Sequence, residues 1–310
     1  MPKSSFPVGS TRRQILATAT TATLALLASA GCAEDQKRPE SPPGPDPERL
    51  IAGLIAGLSA VGPHRNPTSE ERAQAREVAQ LLLTGRDDRA GQEELFGTLG
   101  FEAHHGDDPA TGRPFSLFLA TGSDDRTWGV VLVDRSAAPR WVIEVPHPGF
   151  DINTELLGLA LHRQVPGSVL LIAGAHRQAA KGAADVAHNS RSLFHVLAIE
   201  FARNGLHQMQ LHGFADRNLR DAQAVVSTGS APTNRLARRI ADGLSEAGLT
   251  TCRAWAQRCG QLEGTRNAQG LAAADLDTAY IHLELSWSVR GDEEGRDRVV
   301  KALADRLTAN

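Results

Sequence analysis

The hydrophobic positions follow a helical period near the start of the chain and then alternate between strand and helix patterns. A capping-box pair, Thr68 and Glu71, opens an apolar stripe that predicts a helix to about Leu83, followed by a polar, glycine-bearing stretch at 85–111. Further along, strands are predicted at 116–120, 128–133, 141–145, 168–173, 208–212, 222–227 and 280–286, and helices at 156–163, 192–204, 233–247 and 295–307. This order predicts an α/β fold, a mixed, mostly parallel sheet flanked by helices, with an N-terminal α+β extension.

Composition narrows the class of protein. The 310 residues carry a net charge of -3, with 41% hydrophobic and 22% charged residues, which is typical of a soluble globular chain. A disordered chain, a collagen-like chain and a multi-span membrane protein are thereby excluded. The near-neutral balance also predicts no nucleic-acid partner. Glycine-rich phosphate loops and a Gly-x-Ser-x-Gly elbow are absent, so neither nucleotide hydrolysis nor serine esterase chemistry is indicated.

The first 31 residues have the pattern of an export signal. Adjacent arginines, Arg12 and Arg13, precede an uncharged, mildly apolar stretch from Ala17 to Ala30. As a helix this stretch spans about 21 Å, less than the roughly 30 Å of a bilayer core. Residues 1–31 are therefore predicted to be a signal peptide, and the paired arginines resemble the twin-arginine type.

Two processing routes fit the end of this segment. Ser29-Ala30-Gly31-Cys32 resembles a bacterial lipobox, and a charged, proline-rich stretch follows, so we predict a lipidated Cys32 and a flexible tether over 32–48. Ala28-Ser29-Ala30 instead fits ordinary signal peptidase and a soluble secreted product. Both routes predict an exported bacterial protein, either anchored in the cell membrane by lipid or periplasmic or extracellular.

The mature chain is predicted to contain an N-terminal extension at 49–140 and a core at 141–310. Two cysteines remain in it, Cys252 and Cys259. An even pair in an oxidising compartment favours a local disulfide. A metal site is the alternative, but these cysteines lack the tight Cys-x-x-Cys spacing of zinc modules.

Candidate catalytic side chains lie at the ends of predicted strands. His147 follows the strand at 141–145, and His212 ends the strand at 208–212. Glu284 shares one face of the last strand with His282, since strand side chains alternate. The carboxyl ends of strands are where α/β folds place ligand sites.

One or two carboxylates follow His147. Asp151 lies four residues beyond it, across a turn, and fits either a metal ligand or a helix N-cap. Glu155, one helical turn further, is a rival ligand or a supporting group. Two histidines and a carboxylate are a common catalytic zinc set, in which the pKa of bound water falls from 15.7 to about 7. Glu284 then fits a general base; the alternative is that His212 and Glu284 are ordinary buried polar groups.

The order of these motifs resembles the zinc carboxypeptidase superfamily, in particular the poly-γ-glutamate hydrolases of bacteria and phage and, more distantly, the N-formylglutamate amidohydrolases. The resemblance covers about residues 140–290 and implies one zinc per chain held by His147, Asp151 and His212, with Glu284 as general base. The matching segments are Pro146-His147-Pro148-Gly149, Leu211-His212-Gly213, Gly264-Thr265-Arg266-Asn267, and His282-Leu283-Glu284 followed by Arg290.

The chain departs from that family in three places. The family's carboxylate ligand is usually Glu at a slightly different spacing, which keeps Glu155 open beside Asp151. Its Asp-x-Asn-Arg segment, which binds substrate, reads Asp185-Val186-Ala187-His188-Asn189-Ser190-Arg191 here, with His188 in the place of the arginine. A basic cluster, Gly174-Ala175-His176-Arg177, has no family role.

Together with the resemblance, these residues imply an exported metal-dependent hydrolase of amide bonds, using zinc-activated water and a glutamate base. The predicted substrates are peptides, γ-glutamyl polymers or cell-wall peptides. His188, Arg191 and Arg290 are the candidate substrate-binding residues, and Arg290 fits a structural ion pair equally well. The alternative is a non-catalytic binding lipoprotein on the same scaffold.

Overall fold

The computed structural model describes residues 44–84, 88–122 and 124–309. The predicted signal peptide, the lipidated Cys32 and all but the last five residues of the predicted tether lie outside the described residues. No helix within the described ranges is both long and apolar enough to cross a membrane.

A nine-stranded mixed sheet forms the centre of the part of the chain that the structure describes, in the order β1-β2-β3-β5-β4-β6-β9-β7-β8. Its strands are β1 (Phe101–Asp107), β2 (Pro114–Ala120), β3 (Val130–Asp134), β4 (Trp141–Val145), β5 (Val169–Ile172), β6 (His207–Phe214), β7 (Ala224–Ser227), β8 (Thr251–Arg253) and β9 (Tyr280–Ser286). The central run β5-β4-β6-β9 is parallel, while β1, β2, β3 and β5 pair antiparallel in turn. β7 pairs antiparallel with β9 and parallel with β8.

Helices cover both faces of this sheet. They are α1 (Pro47–Ala56), α2 (Ser69–Thr84), α3 (Arg89–Thr98), α4 (Thr154–Gln164), α5 (Ala179–Gly182), α6 (Leu193–Arg203), α7 (Arg235–Glu246), α8 (Ala268–Ala273), α9 (Trp287–Arg290) and α10 (Glu293–Thr308). Helices α4, α7 and α10 bury their apolar residues in one core with Met209 and Leu211 of β6. Helices α2, α3 and α6 bury theirs in a second core on the other face. The predicted α/β fold, a mixed sheet flanked by helices, is confirmed.

The predicted N-terminal extension contributes to the same sheet. The chain from Gly44 onward forms one compact unit, in which β1, β2 and β3 continue the sheet beyond β5. The stretch 85–111, which has no periodic pattern, contains α3 and β1. Strand β1 is an edge strand with only Phe101 fully buried, so it is held by backbone pairing to β2 and lacks an alternating apolar signal.

The predicted local disulfide is confirmed. Cys252 in β8 bonds to Cys259 in the loop that follows. Both cysteines are buried with Phe214 and Val225 in a small separate apolar cluster. The bridge therefore anchors the loop that continues to Leu262, a residue that lines a cleft at the carboxyl ends of the central strands.

Candidate metal centre

Three adjacent parallel strands place the predicted catalytic residues at one edge of the sheet. His147 lies two residues beyond the end of β4, and His212 lies near the end of β6. Glu284 in β9 is the direct register partner of His212. Because Met209 and Leu211 point to the opposite face, His212 and its neighbour Glu284 face the layer that contains α6.

A tight turn carries the chain from β4 into α4 and presents Asp151 to the histidines. The Asp151 backbone N–H donates to the His147 carbonyl at 2.9 Å, and Gly149 adopts a φ of 73° that favours glycine. The N-cap of α4 is Asn153, not Asp151. The Asp151 side chain is therefore free of a capping role and turns toward the two imidazoles.

The side chains of His147, Asp151 and His212 converge. Asp151 Oδ2 lies 3.2 Å from His147 Nδ1 and 3.2 Å from His212 Nδ1. All three side chains are buried, and their ligand atoms lie within 4.8 Å of one another. This set of two nitrogens and one oxygen is a candidate metal site.

Hydrogen bonds on the far side of each imidazole test whether the residues fit a metal. His147 Nε2 donates to Asp185 Oδ1 at 2.8 Å, and His212 Nε2 donates to Gln210 Oε1 at 2.7 Å. Since both partners are acceptors, each Nε2 carries a hydrogen, and in its neutral form each ring presents the Nδ1 lone pair to Asp151. Three lone pairs then face one another, and a shared cation satisfies them. The residues fit a metal ion.

The alternative, a second proton on each ring, is opposed by burial at His212. Burial lowers the pKa of His212 to about 4, against the opposing effect of Asp151. His147 is buried as well, but its contacts with Asp151 and Asp185 outweigh that burial and raise its pKa. Asp151 is buried, yet its contacts with both histidines lower its pKa, so it is ionised and available as a ligand.

Glu284 lies beside this set without a fixed partner. Its side chain is 9% exposed, and Oε2 is buried with no hydrogen-bond partner. Burial, reinforced by the charge of Asp151, raises the pKa of Glu284 well above its ordinary value. His282 stacks on His212 with ring centroids 4.6 Å apart, and its Nδ1 is also without a partner. His212, His282 and Glu284 thus form a second, overlapping group of possible ligands.

The other predicted residues occupy different positions. Glu155 is buried on α4 but belongs to neither group of possible ligands among the described residues, so the carboxylate in the cluster is Asp151. His188 is half-exposed, with Nδ1 3.2 Å from the Asp185 carboxylate. Arg191 is exposed and does not line the cleft at the metal site. Substrate binding by His188 and Arg191 stays a prediction.

Arg290 has a structural position. It is 4% exposed, and its guanidinium donates to the backbone carbonyls of Leu285, Phe214 and Ile152. A Cβ on Gly213 would overlap the guanidinium, so the glycine after His212 makes room for it. Arg290 therefore joins β6, β9 and the turn before α4. Its guanidinium N–H groups, which a substrate carboxylate would need, are already donated to these three carbonyls.

An open cleft of about 440 Å³ leads to Asp151, His212 and Glu284. Arg177 and Arg217 line it, and so do Phe150 and Trp287, whose side chains are 44% and 45% exposed. A cavity of about 490 Å³ lies at the opposite edge of the sheet, beside Trp141 and His207 at the starts of β4 and β6. Of these two openings, only the cleft is lined by members of the groups of possible metal ligands among the described residues, so it is the candidate active site.

Two supporting residues were not identified from sequence. Arg177 belongs to the unassigned basic cluster; it donates to Asp185 at 2.6 Å, and its guanidinium lies 4.9 Å from the ring centre of Phe150. Gln210 is fully buried between His212 and Glu144. Its only signal is its place in β6, two residues before His212 and therefore on the same face.

Glu144, in β4, gives a prediction about pH and stability. Full burial raises its pKa from 4.5 to about 8. Between those values the unfolded chain releases this proton and the folded chain keeps it, so stability falls as pH rises. Glu144→Gln is expected to remove that loss, giving no gain near pH 4 and a gain on the order of 2–5 kcal/mol near pH 8.

Urea unfolding across this pH range measures the effect. Glu77→Gln, on the exposed face of α2, is the matched control and should show no pH-dependent difference from the native chain. A gain from Glu144→Gln that is the same at both ends of the range would mean that the buried carboxyl is ionised.

The chain is similar to several solved structures, each at low sequence identity. No protein-family model matches the chain. No curated protein matches it either. The zinc-free apo structure of YNDL is 16% identical, with a TM-score of 0.41, over 57% of this chain and 88% of that one. A bacteriophage poly-γ-glutamate hydrolase is 17% identical, with a TM-score of 0.39, over 57% and 86%.

An aspartoacylase family protein from Mesorhizobium loti is 13% identical, with a TM-score of 0.37, over 66% of this chain and 67% of that one. The chain is thus similar to a poly-γ-glutamate hydrolase, one of the classes that its motifs resemble. What the site can do follows from this chain's own side chains.

Proposed function

We propose that this chain is an exported, zinc-dependent hydrolase of amide bonds. His147, Asp151 and His212 would hold one zinc ion, and Glu284 would act as general base. One observation carries the proposal: two imidazole Nδ1 atoms lie 3.2 Å from the same carboxylate oxygen, while both opposite nitrogens donate to acceptors. Three protein ligands leave a coordination position open, as catalytic zinc sites require.

The metal, when bound, polarises a substrate carbonyl and lowers the pKa of a water molecule. Glu284 would transfer the proton of the attacking water; it lies opposite His212 in register and has a free Oε2. It would take the proton from the attacking water and return it to the leaving nitrogen. A pKa raised by burial suits this task, because it makes the carboxylate a stronger base.

Arg177 would stabilise the negative charge that develops on the carbonyl oxygen. It lines the same cleft as Glu284 and His212, and Asp185 and Phe150 hold its guanidinium in place. Preorganised cationic donors of this kind are a large part of catalysis of acyl transfer. The same Asp185 orients His147, so one carboxylate would support both the metal ligand and Arg177.

The cleft favours substrates with negative charge. Arg217 lines it and forms no salt bridge in the ranges 44–84, 88–122 and 124–309. The exposed ring of Trp287 lines the cleft as well. Peptides, γ-glutamyl polymers and cell-wall peptides all carry carboxylates and are the proposed substrates. Export, with lipid on Cys32, belongs to this proposal and rests on the N-terminal sequence.

Removal of the metal tests the proposed function. We expect the purified mature chain to contain about one zinc per chain, and a zinc chelator to abolish hydrolysis of a panel of these three substrates. Added zinc should restore the rate, with metal content measured by mass spectrometry on the same samples. A folded chain without metal would contradict the proposal. Stoichiometric zinc without hydrolysis of any substrate would favour the non-catalytic binding lipoprotein.

A further inference from the structure

A fully buried amide lies directly beneath the candidate metal site. Gln210 Oε1 accepts from His212 Nε2 at 2.7 Å, from the Tyr280 hydroxyl at 3.0 Å, and from Asn267 Nδ2. On its other side, Gln210 Nε2 donates to Glu144 Oε2 at 2.7 Å and to Gln269 Oε1 at 3.3 Å. Every polar atom of this amide is therefore engaged.

Backbone groups determine which way the amide points. Asn267 Oδ1 accepts from the N–H groups of Gln269 and Gly270 at the start of α8, so its Nδ2 must face Gln210. Gln269 Nε2 donates to the Val186 carbonyl at 3.0 Å, so its Oε1 must also face Gln210. A flipped Gln210 would set donor against donor and acceptor against acceptor on both sides.

This orientation has a consequence for His212. The ring meets a carbonyl oxygen at Nε2, and that oxygen accepts hydrogen bonds and donates none. Asp151 Oδ2 is also an acceptor, but it lies 3.2 Å from Nδ1, whereas Gln210 Oε1 lies 2.7 Å from Nε2. The nearer acceptor holds His212 as the tautomer with hydrogen on Nε2 and the lone pair on Nδ1, the atom that faces Asp151.

We infer that Gln210 is a positioning residue that selects the metal-binding tautomer of His212, with Asn267 and Gln269 of the α8 start fixing its orientation. The inference rests on the proposed function, since it needs His212 to be a ligand. It assigns different supports to the two histidines. His147 is oriented by the carboxylate of Asp185, which is partly exposed, and His212 by a neutral amide in the core.

Replacing Gln210 by methionine keeps the bulk of the side chain and removes the acceptor. We expect Gln210→Met to weaken zinc binding about 10- to 100-fold, the usual cost of losing the partner that orients a ligand. Gln210→Glu retains an acceptor for His212 and is expected to restore most of the affinity. Zinc affinity is measured on the full mature chain by competition with a chelator.

A neighbouring glutamine supplies the matched control. Gln208 lies on the same face of β6, is equally buried, and donates to the Ala198 carbonyl without contacting His212. Gln208→Met should change zinc affinity by less than about 3-fold, since no ligand partner is lost. Equal losses in the two methionine variants would overturn the inference, because both would then report a general loss of packing.

Nitrogen NMR of the imidazoles separates this inference from the proposed function. At neutral pH, metal-free native protein should show His212 with hydrogen on Nε2, and Gln210→Met should show a mixture of tautomers. A native ring with hydrogen on Nδ1 would overturn the inference whatever the metal content. A native chain with the expected tautomer but no zinc affinity would refute the proposed function instead.

A smaller change covers the case in which Gln210→Met does not fold. Asn267→Ser removes the amide that donates to Gln210 and keeps an oxygen able to cap α8. We expect roughly 3- to 10-fold weaker zinc binding from this indirect loss of orientation. Unchanged affinity and an unchanged tautomer in a folded Asn267→Ser chain would contradict the inference.

Discussion

His212→Ala is expected to remove zinc binding and to reduce hydrolysis to background. The substitution deletes one of the two Nδ1 atoms that face Asp151 Oδ2 and leaves a buried carboxylate with a single imidazole partner. Metal activation contributes several kcal/mol to catalysis of this kind, so the rate should fall by on the order of 10³-fold or more. His147→Ala removes the other Nδ1 and should have the same effect. Zinc content and hydrolysis rate are measured together on each folded variant.

The start of the same strand provides the control. His207 opens β6 at the opposite edge of the sheet, where its Nδ1 accepts from the Ala279 backbone N–H. His207→Ala should lose some stability and retain its zinc. Full zinc occupancy in folded His147→Ala and His212→Ala would exclude this centre as the zinc site and would mean that other residues bind the metal.

Glu284→Gln should abolish most activity while leaving the metal in place. The amide keeps the shape of the side chain but cannot accept the proton from water, and loss of a general base costs about 10²- to 10⁴-fold in rate. Zinc affinity should stay close to that of the native chain, because Glu284 lies outside the set formed by His147, Asp151 and His212. The measurement pairs single-substrate kinetics with a zinc titration.

The zinc titration also decides between two roles for this carboxylate. Zinc lost together with activity in Glu284→Gln would make Glu284 a ligand, in the overlapping group with His212 and His282. Glu155→Gln is the matched control, since Glu155 is also buried but does not belong to a ligand group in the described part of the chain. We expect it to retain both zinc and activity, which would exclude Glu155 as the carboxylate ligand.

Much of the fold is predictable because apolar periodicity reports burial. The strands that become β4, β6 and β9 are fully or nearly fully buried. Strand β4 appears in the sequence as a mostly apolar run, and β6 and β9 appear as alternating apolar and polar positions. Helix α3 and strand β1 were not predicted. Strand β1 is held mainly by backbone pairing with the next strand, β2, and most of its side chains are not buried, so it shows no alternating apolar pattern.

The candidate site is likewise only partly predictable from the sequence. His147, His212 and Glu284 are identifiable from strand ends and alternation, because those features determine which side chains share an edge and a face. The sequence does not decide whether Asp151 or Glu155 is the carboxylate ligand, since that depends on the turn at Gly149 and on Asn153 taking the N-cap position of α4. The structural position of Arg290 depends on three carbonyls from separate elements.

By itself, then, the sequence determined the α/β class, the local disulfide and the residue types for metal chemistry, because periodicity, cysteine spacing and strand ends are local properties. Only the tertiary structure decided which oxygen the two imidazoles face and which partners hold their opposite nitrogens. His212 and Asp151, which are in contact, lie 61 positions apart in the chain, and His147 and Asp185 lie 38 positions apart. Chain folding alone brings such atoms within hydrogen-bonding distance, and the lone pairs that would bind a metal are directed by those contacts.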